Sequence, residues 1–179
     1  GHSGIVQQAS GALIGICVVS LWGSRRYLKD IILHIFGIRQ IDESNELISY
    51  RSAFLGLILS GVFLLFFCYA TGMSIWAVIT FFTLYFAIAL AITRIRAELG
   101  APVHDVFYGD PDQLLTAALG TRVFGPRNLT MFSMFWFFCR GHYSDVMPFQ
   151  LEGLKLANMV KLKSRQLLAP MIIATIVGI

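Results

Sequence analysis

Three long stretches of the chain contain no charged side chain and no histidine: residues 5–22, 52–72 and 74–93. As α-helices they would measure about 27, 31 and 30 Å, and the hydrocarbon core of a bilayer is about 30 Å thick. A fourth apolar stretch, residues 167–179, would measure only about 20 Å. The pattern therefore predicts three full transmembrane helices and a truncated fourth.

Composition agrees with this interpretation. Apolar residues make up 56% of the chain and charged residues 13%, whereas soluble domains carry about a quarter charged residues. Buried helices of soluble proteins rarely contain about 20 uncharged apolar residues several times in series. We therefore expect an all-α integral membrane protein, organised as a single membrane domain over residues 1–179.

Between the first two predicted spans, the segment Arg25 to Phe36 separates basic residues from apolar residues at helical spacing. Such segregation is typical of a helix that lies in the membrane interface with its apolar side towards the lipid. The segment is predicted to be an interfacial amphipathic helix, distinct from the span that precedes it.

A strongly aromatic run, Asn128 to Cys139, follows the third predicted span, with Arg127 before it and Arg140 after it. Twelve residues give only about 18 Å of helix, which is too short to cross the hydrocarbon core. We expect a re-entrant or interfacial segment with both arginines on the same membrane face.

The basic residues define a topology. All 14 lysines and arginines lie in residues 23–51 and 94–166, and the turn at Gly72 and Met73 has none. By the positive-inside rule, both segments are predicted to be cytoplasmic loops, and Met73 is predicted to face outward. The net charge of +4 is explained by attraction to anionic lipid headgroups, so nucleic acid is not an expected partner.

Nothing in the sequence indicates a reaction centre. Cys17, Cys68 and Cys139 lie far apart and show no C-x-x-C spacing, so no disulfide framework, metal site or cofactor is predicted. His104 and Asp105 are adjacent, but no nucleophile motif accompanies them. We therefore expect no catalytic residues and no enzymatic activity.

Charged residues next to predicted membrane segments are the candidates for binding a substrate, because charges at membrane depth are costly and are retained mostly for function. Arg94 and Glu98 stand at helical i, i+4 spacing, so a local ion pair that anchors the end of a span is the simpler alternative. The candidate substrate-binding residues form two groups in the sequence: Arg94, Arg96 and Glu98, followed by Arg140, His142, Asp145 and Glu152.

Three motifs suggest a family: Ser49-Tyr50-Arg51, TRIRAELGAP at Thr93–Pro102, and RGHYSDVMPFQLEGLKLA at Arg140–Ala157. Together they resemble a family of uncharacterised bacterial polytopic membrane proteins, classed as a domain of unknown function. Members of that family are much longer, which implies that this chain is an excerpt from a multi-pass protein of the bacterial inner (cytoplasmic) membrane. The family is distantly similar to oligopeptide transporters.

Two functions remain open at this point. Several spans and an interrupted aromatic segment favour a transporter-like protein. The alternative is a non-catalytic scaffold or accessory subunit, held by small-residue helix faces such as Gly11 and Gly15. The expected partners are the lipid bilayer with its anionic headgroups and either other membrane subunits or the remainder of a longer chain.

Overall fold

The computed structural model describes residues 3–43, 46–100, 109–142, 145–160, 162 and 164–177. Within these ranges the fold is all-α, as predicted. It consists of seven helices and a short 3-10 turn: α1 (Ser3–Ile35), α2 (Tyr50–Ala70), α3 (Ile75–Leu99), α4 (Pro111–Leu119), α5 (Thr121–Cys139), the turn Arg140–His142, α6 (Val146–Met159) and α7 (Ser164–Val177).

Helices α2 and α3 correspond to the second and third predicted spans. The Ser49 side chain caps α2 by accepting a hydrogen bond from the Ser52 N–H. The turn between the two helices contains Gly72 with a φ of 87°, a left-handed conformation that glycine adopts at little cost. Among the described residues, these two helices are long and apolar enough to cross a membrane. The sequence predicted three full spans, and the first of these is not confirmed.

The first predicted span and the predicted interfacial helix form one continuous helix, α1, which is 33 residues and about 50 Å long. The separate interfacial helix is therefore not observed. Gly23 lies at the expected junction, but one glycine within a helix costs only about 1 kcal/mol relative to alanine. No proline removes a backbone donor there, so the helical hydrogen bonds continue through the change in polarity.

Helix α3 is the centre of the fold. On one side it packs against α1, where Leu13 and Cys17 contact Ile88 and Ile92 in a buried cluster. Closer to the N-terminal end of α3, Phe81 packs against α5 in a second buried cluster. Phe81 stacks on Phe132 with their ring centroids 5.0 Å apart. By contrast, only 6% of the residues in the most apolar stretch of α2 are buried.

The chain after α3 returns to the N-terminal end of that helix. The Asn128 amide oxygen accepts a hydrogen bond of 2.9 Å from the Ser74 N–H. Phe124 stacks on Trp76 with 5.1 Å between the ring centroids. Helix α5 therefore begins beside the first residues of α3, opposite the Arg94 end.

From there α5 and α6 run alongside α3 in the same direction. Phe135 contacts Phe81 in the first half of α3, and Glu152 of α6 forms an ion pair with Arg96 in its last turn. Lys155 Nζ then donates a hydrogen bond of 2.6 Å to the Ala97 carbonyl oxygen. The two helices together cover the length of α3, and we refer to them as the α5–α6 pair.

This path differs from the predicted one. The sequence assigned residues 94–166 to a single loop at the Arg94 end of α3, with Arg127 and Arg140 on the same face. Instead, Arg127 lies next to Asn128 at the opposite end, and Arg140 follows the end of α5, about halfway along α3. The charge rule counts basic residues in loops, and it takes no account of the ring stacking and hydrogen bonds that hold α5 against α3.

Two further features shape the ends of the fold. Helix α5 is kinked at Gly125, whose φ is 70°, and at the following Pro126, and the Asn128 side chain donates a hydrogen bond of 2.7 Å to the Phe124 carbonyl oxygen across this kink. Helix α7 covers most of the predicted fourth span. It is 14 residues long and contains Pro170.

Candidate functional site

The α5–α6 pair is interrupted halfway along α3. Helix α5 ends at Cys139 and the 3-10 turn ends at His142. The backbone of His142 has a φ of 55°, a left-handed conformation that is uncommon for residues other than glycine. Helix α6 begins at Val146, after the N-cap residue Asp145. The interruption therefore brings two polar side chains to the same place.

These two side chains and Tyr85 of α3 form a buried polar cluster, which we call the Tyr85–His142–Asp145 site. The Tyr85 hydroxyl donates a hydrogen bond to one carboxylate oxygen of Asp145. His142 Nδ1 lies 2.8 Å from the other, and the His142 ring stacks on the Tyr85 ring at 5.1 Å. The exposed fraction is 0% for His142 and 6% for Asp145, so their hydrogen bonds form where water has little access.

A second polar contact joins α3 to α6 closer to the end of α3. Arg96 Nη2 donates a hydrogen bond of 2.8 Å to Glu152 Oε2. The Arg96 guanidinium also lies 4.3 Å from the centroid of the Phe149 ring, a distance at which cation–π attraction operates. Arg96 is only 6% exposed, whereas Glu152 is partly exposed, so the ion pair is shielded from solvent mainly on the arginine side.

The structure separates the remaining sequence candidates from these contacts. Arg94 and Glu98 form an exposed i, i+4 ion pair of 2.9 Å, which agrees with the simpler alternative of a local anchor. Arg140 is exposed and lies over the Trp136 ring at 4.9 Å. His104 and Asp105 lie outside the described residues.

Two further acidic side chains, Asp110 and Asp112, lie at the start of α4, and Asp110 is buried. Among the described residues, however, no group of three or more His, Cys, Asp or Glu side chains is arranged to hold a metal ion.

Two cavities meet at Tyr85 and Phe86, which contribute to the walls of both. The smaller cavity, of about 260 Å³, also includes Asp145 in its wall. The larger cavity, of about 590 Å³, lies between α2, α3 and α5 and is almost entirely apolar. The polar site therefore borders open space on the α6 side.

Sequence reasoning identified four of the residues in these contacts: Arg96, His142, Asp145 and Glu152. It did not identify their pairing, and it missed Tyr85. The signal for Tyr85 was available, because a phenol hydroxyl in the middle of an apolar helix normally has a hydrogen-bond partner when buried. Its partner, however, is 60 residues away in the chain.

Comparison with known proteins gives one positive result. No curated protein and no solved structure matches the chain significantly. A family model described as a family of unknown function, DUF6785, matches residues 4–179. That range contains the fold and the polar site, so the chain belongs to this family of unknown function.

Proposed function

We propose that this chain is a membrane-embedded part of a polytopic transport protein, and that the Tyr85–His142–Asp145 site takes part in handling its substrate. The observation that carries the proposal is the position of the site. The interruption between α5 and α6 lies beside the middle of the apolar helix α3, and the ionisable side chains of His142 and Asp145 are buried there.

Interrupted helices are characteristic of substrate sites in transporters. Backbone without regular hydrogen bonds is tolerated at membrane depth only where protein or a water-filled cavity surrounds it. Transporters use such breaks to bring polar groups to the substrate near the middle of the membrane. The interruption between α5 and α6 fits this description, since it is packed against α3 and borders the smaller cavity.

The cost of the polar groups supports the same function. A charged side chain at the centre of the bilayer costs about 2.5–3.5 kcal/mol on insertion scales. A protein that required only packing could place apolar residues at Asp145 and Arg96 without this cost. We propose that Asp145 and His142 contact the substrate, and that the Arg96–Glu152 pair fixes α6 relative to α3.

The proposed setting is the bacterial inner membrane, with residues 23–51 on the cytoplasmic side. The basic residues Arg25, Arg26 and Lys29 then lie near anionic headgroups, each contributing about 1 kcal/mol of attraction. The proposal assigns no reaction and no cofactor to the chain. The distant similarity that we expect between the family and oligopeptide transporters makes short peptides the first substrates to test.

The test is peptide uptake by cells that lack the gene and carry the full-length protein on a plasmid. We expect wild type to restore uptake. Asp145→Asn removes a charged hydrogen-bond acceptor worth about 1.5–3 kcal/mol, so it is expected to lower the initial rate about tenfold or more. Arg94→Gln, in the exposed ion pair, is the matched control and is expected to transport like wild type at equal membrane expression.

Two outcomes would contradict the proposal at different levels. If gene deletion leaves the uptake of every peptide unchanged, and the purified protein moves none of them into liposomes, peptide transport is wrong. If wild type transports peptides and Asp145→Asn transports them equally well, transport stands but the assignment of the site is wrong.

A scaffold or accessory subunit is the second candidate, because α2 exposes nearly all of its apolar surface. In a complex, that surface would contact other membrane helices. Light scattering of the full-length protein in detergent, combined with chemical crosslinking in native membranes, tests this function. A monomer that crosslinks to no other protein through α2 would contradict it.

A further inference from the structure

The larger cavity is a cleft that opens sideways between two helices. Helices α2 and α5 each pack on α3 but scarcely contact one another. The floor of the resulting gap consists of buried residues, Cys68, Phe82 and Phe135, whereas the α5 side chains at its rim, Met134 and Phe137, are exposed. We call this gap the lateral cleft.

The walls of the lateral cleft offer a ligand no free hydroxyl donor. Apart from the weakly polar sulfur atoms of Cys68, Met131 and Met134, the side-chain heteroatoms in its wall that can form hydrogen bonds are those of Thr71 and Tyr85. The Thr71 hydroxyl donates to the Cys68 carbonyl oxygen at 2.7 Å, and the Tyr85 hydroxyl donates to Asp145. A polar ligand would therefore lose most of its hydrogen bonds to water without replacement, so the cleft strongly favours an apolar ligand.

We propose that the lateral cleft binds one hydrocarbon chain of a membrane lipid. Its volume of about 590 Å³ falls within the range of about 300–1,000 Å³ typical of small-molecule sites. The aromatic and methionine side chains that line it can adapt to a flexible chain. The occupant follows from the opening: α2 and α3, which supply two of the three walls, are both candidate crossing helices, so the gap between α2 and α5 beside them would face the lipid.

This inference depends on the chain lying in a membrane, but it does not depend on transport. It also gives the cleft a role beside the Tyr85–His142–Asp145 site. A bound hydrocarbon chain would contact the ring of Tyr85, whose hydroxyl is bonded to Asp145. Occupancy of the cleft and the position of the phenol are thereby linked through a single side chain.

The experiment uses the full-length protein in nanodiscs of phosphatidylethanolamine and phosphatidylglycerol, a fraction of which carries a diazirine in one acyl chain. After irradiation, mass spectrometry locates the crosslinked residues. We expect crosslinks on the floor residues Phe82 and Phe135. The double variant Met131→Trp with Met134→Trp narrows the cleft. We expect it to lower these crosslinks about tenfold, because excluding about two methylene groups of the lipid chain from the cleft weakens binding by about that factor.

The matched control is Leu55→Trp with Leu59→Trp, which adds the same two rings to exposed positions of α2 outside the cleft wall. It is expected to leave the floor crosslinks unchanged. Equal floor crosslinks in both double variants would overturn the proposal. So would a wild type that crosslinks at Leu59 and not at the floor, because lipid would then contact α2 without entering the cleft. Loss of transport with the floor crosslinks intact would count against the proposed function alone.

Discussion

Tyr85 and Asp145 are 60 residues apart in the chain, yet the hydroxyl of Tyr85 donates a hydrogen bond to the Asp145 carboxylate in a buried site. This contact joins the middle of α3 to the N-cap of α6. It holds the α5–α6 pair at its interruption. The stability of the fold and the geometry of the candidate site therefore depend on the same hydroxyl group.

Removing that hydroxyl is expected to destabilise the protein. Tyr85→Phe keeps the ring that stacks on His142 but leaves a buried carboxylate oxygen without its donor, at a cost of about 1.5–3 kcal/mol. The measurement is unfolding in mixed micelles, followed by circular dichroism. Tyr69→Phe, on the exposed surface of α2, is the control and is expected to change stability by less than about 0.5 kcal/mol. Equal effects of the two substitutions would contradict the assigned role of Tyr85.

The two arginine–glutamate pairs are expected to differ in strength. Breaking a buried pair costs about 3–5 kcal/mol, and the partial exposure of Glu152 places Arg96→Gln at the lower end of that range. The exposed Arg94–Glu98 pair contributes about 0.5 kcal/mol or less. Double-mutant cycles with glutamine at each position, carried out at low and high salt, measure both couplings. A coupling of Arg94 to Glu98 as large as that of Arg96 to Glu152 would be inconsistent with the observed burial.

The path of the α5–α6 pair predicts which residues share one side of the membrane. Val123 is exposed and adjacent to Phe124, which stacks on Trp76. In a background without Cys17, Cys68 and Cys139, Val123→Cys and Thr71→Cys are expected to react with a membrane-impermeant thiol reagent from the same side.

Gln40→Cys, in the basic segment before α2, is the comparison for the opposite side. If Val123→Cys is labelled only together with Gln40→Cys, residues 94–166 form a single loop as the charges alone suggest. In that case the packing of α5 on α3 would be wrong.

The aromatic contact between α3 and α5 is expected to be the largest apolar contribution to stability. Phe81 is completely buried and contacts Phe82, Phe132 and Phe135. Phe81→Ala creates a cavity and is expected to cost about 3–5 kcal/mol. Phe137→Ala removes the same ring from a position that is 79% exposed, and it is expected to cost less than about 1 kcal/mol in micelles. Unfolding of both variants under one set of conditions gives the comparison.

The sequence alone determined the class of the fold and its two most apolar helices. Long uncharged stretches leave little choice of structure, because every backbone polar group in an apolar environment must be bonded within the chain, and a helix achieves this locally. The i, i+4 pairing of Arg94 with Glu98 was predictable for the same reason, since its geometry belongs to one helix.

Only the tertiary structure decided the path of residues 109–159 and the composition of the site. Charge patterns suggested one loop at one end of α3, whereas the stacking of Phe124 on Trp76 and the bond from Ser74 to Asn128 bring the chain back to the other end. The pairing of Tyr85 with Asp145 depends on that return. Contacts between distant residues arise from the packing of whole helices, and the periodicity of a single segment contains no information about which helix it will meet.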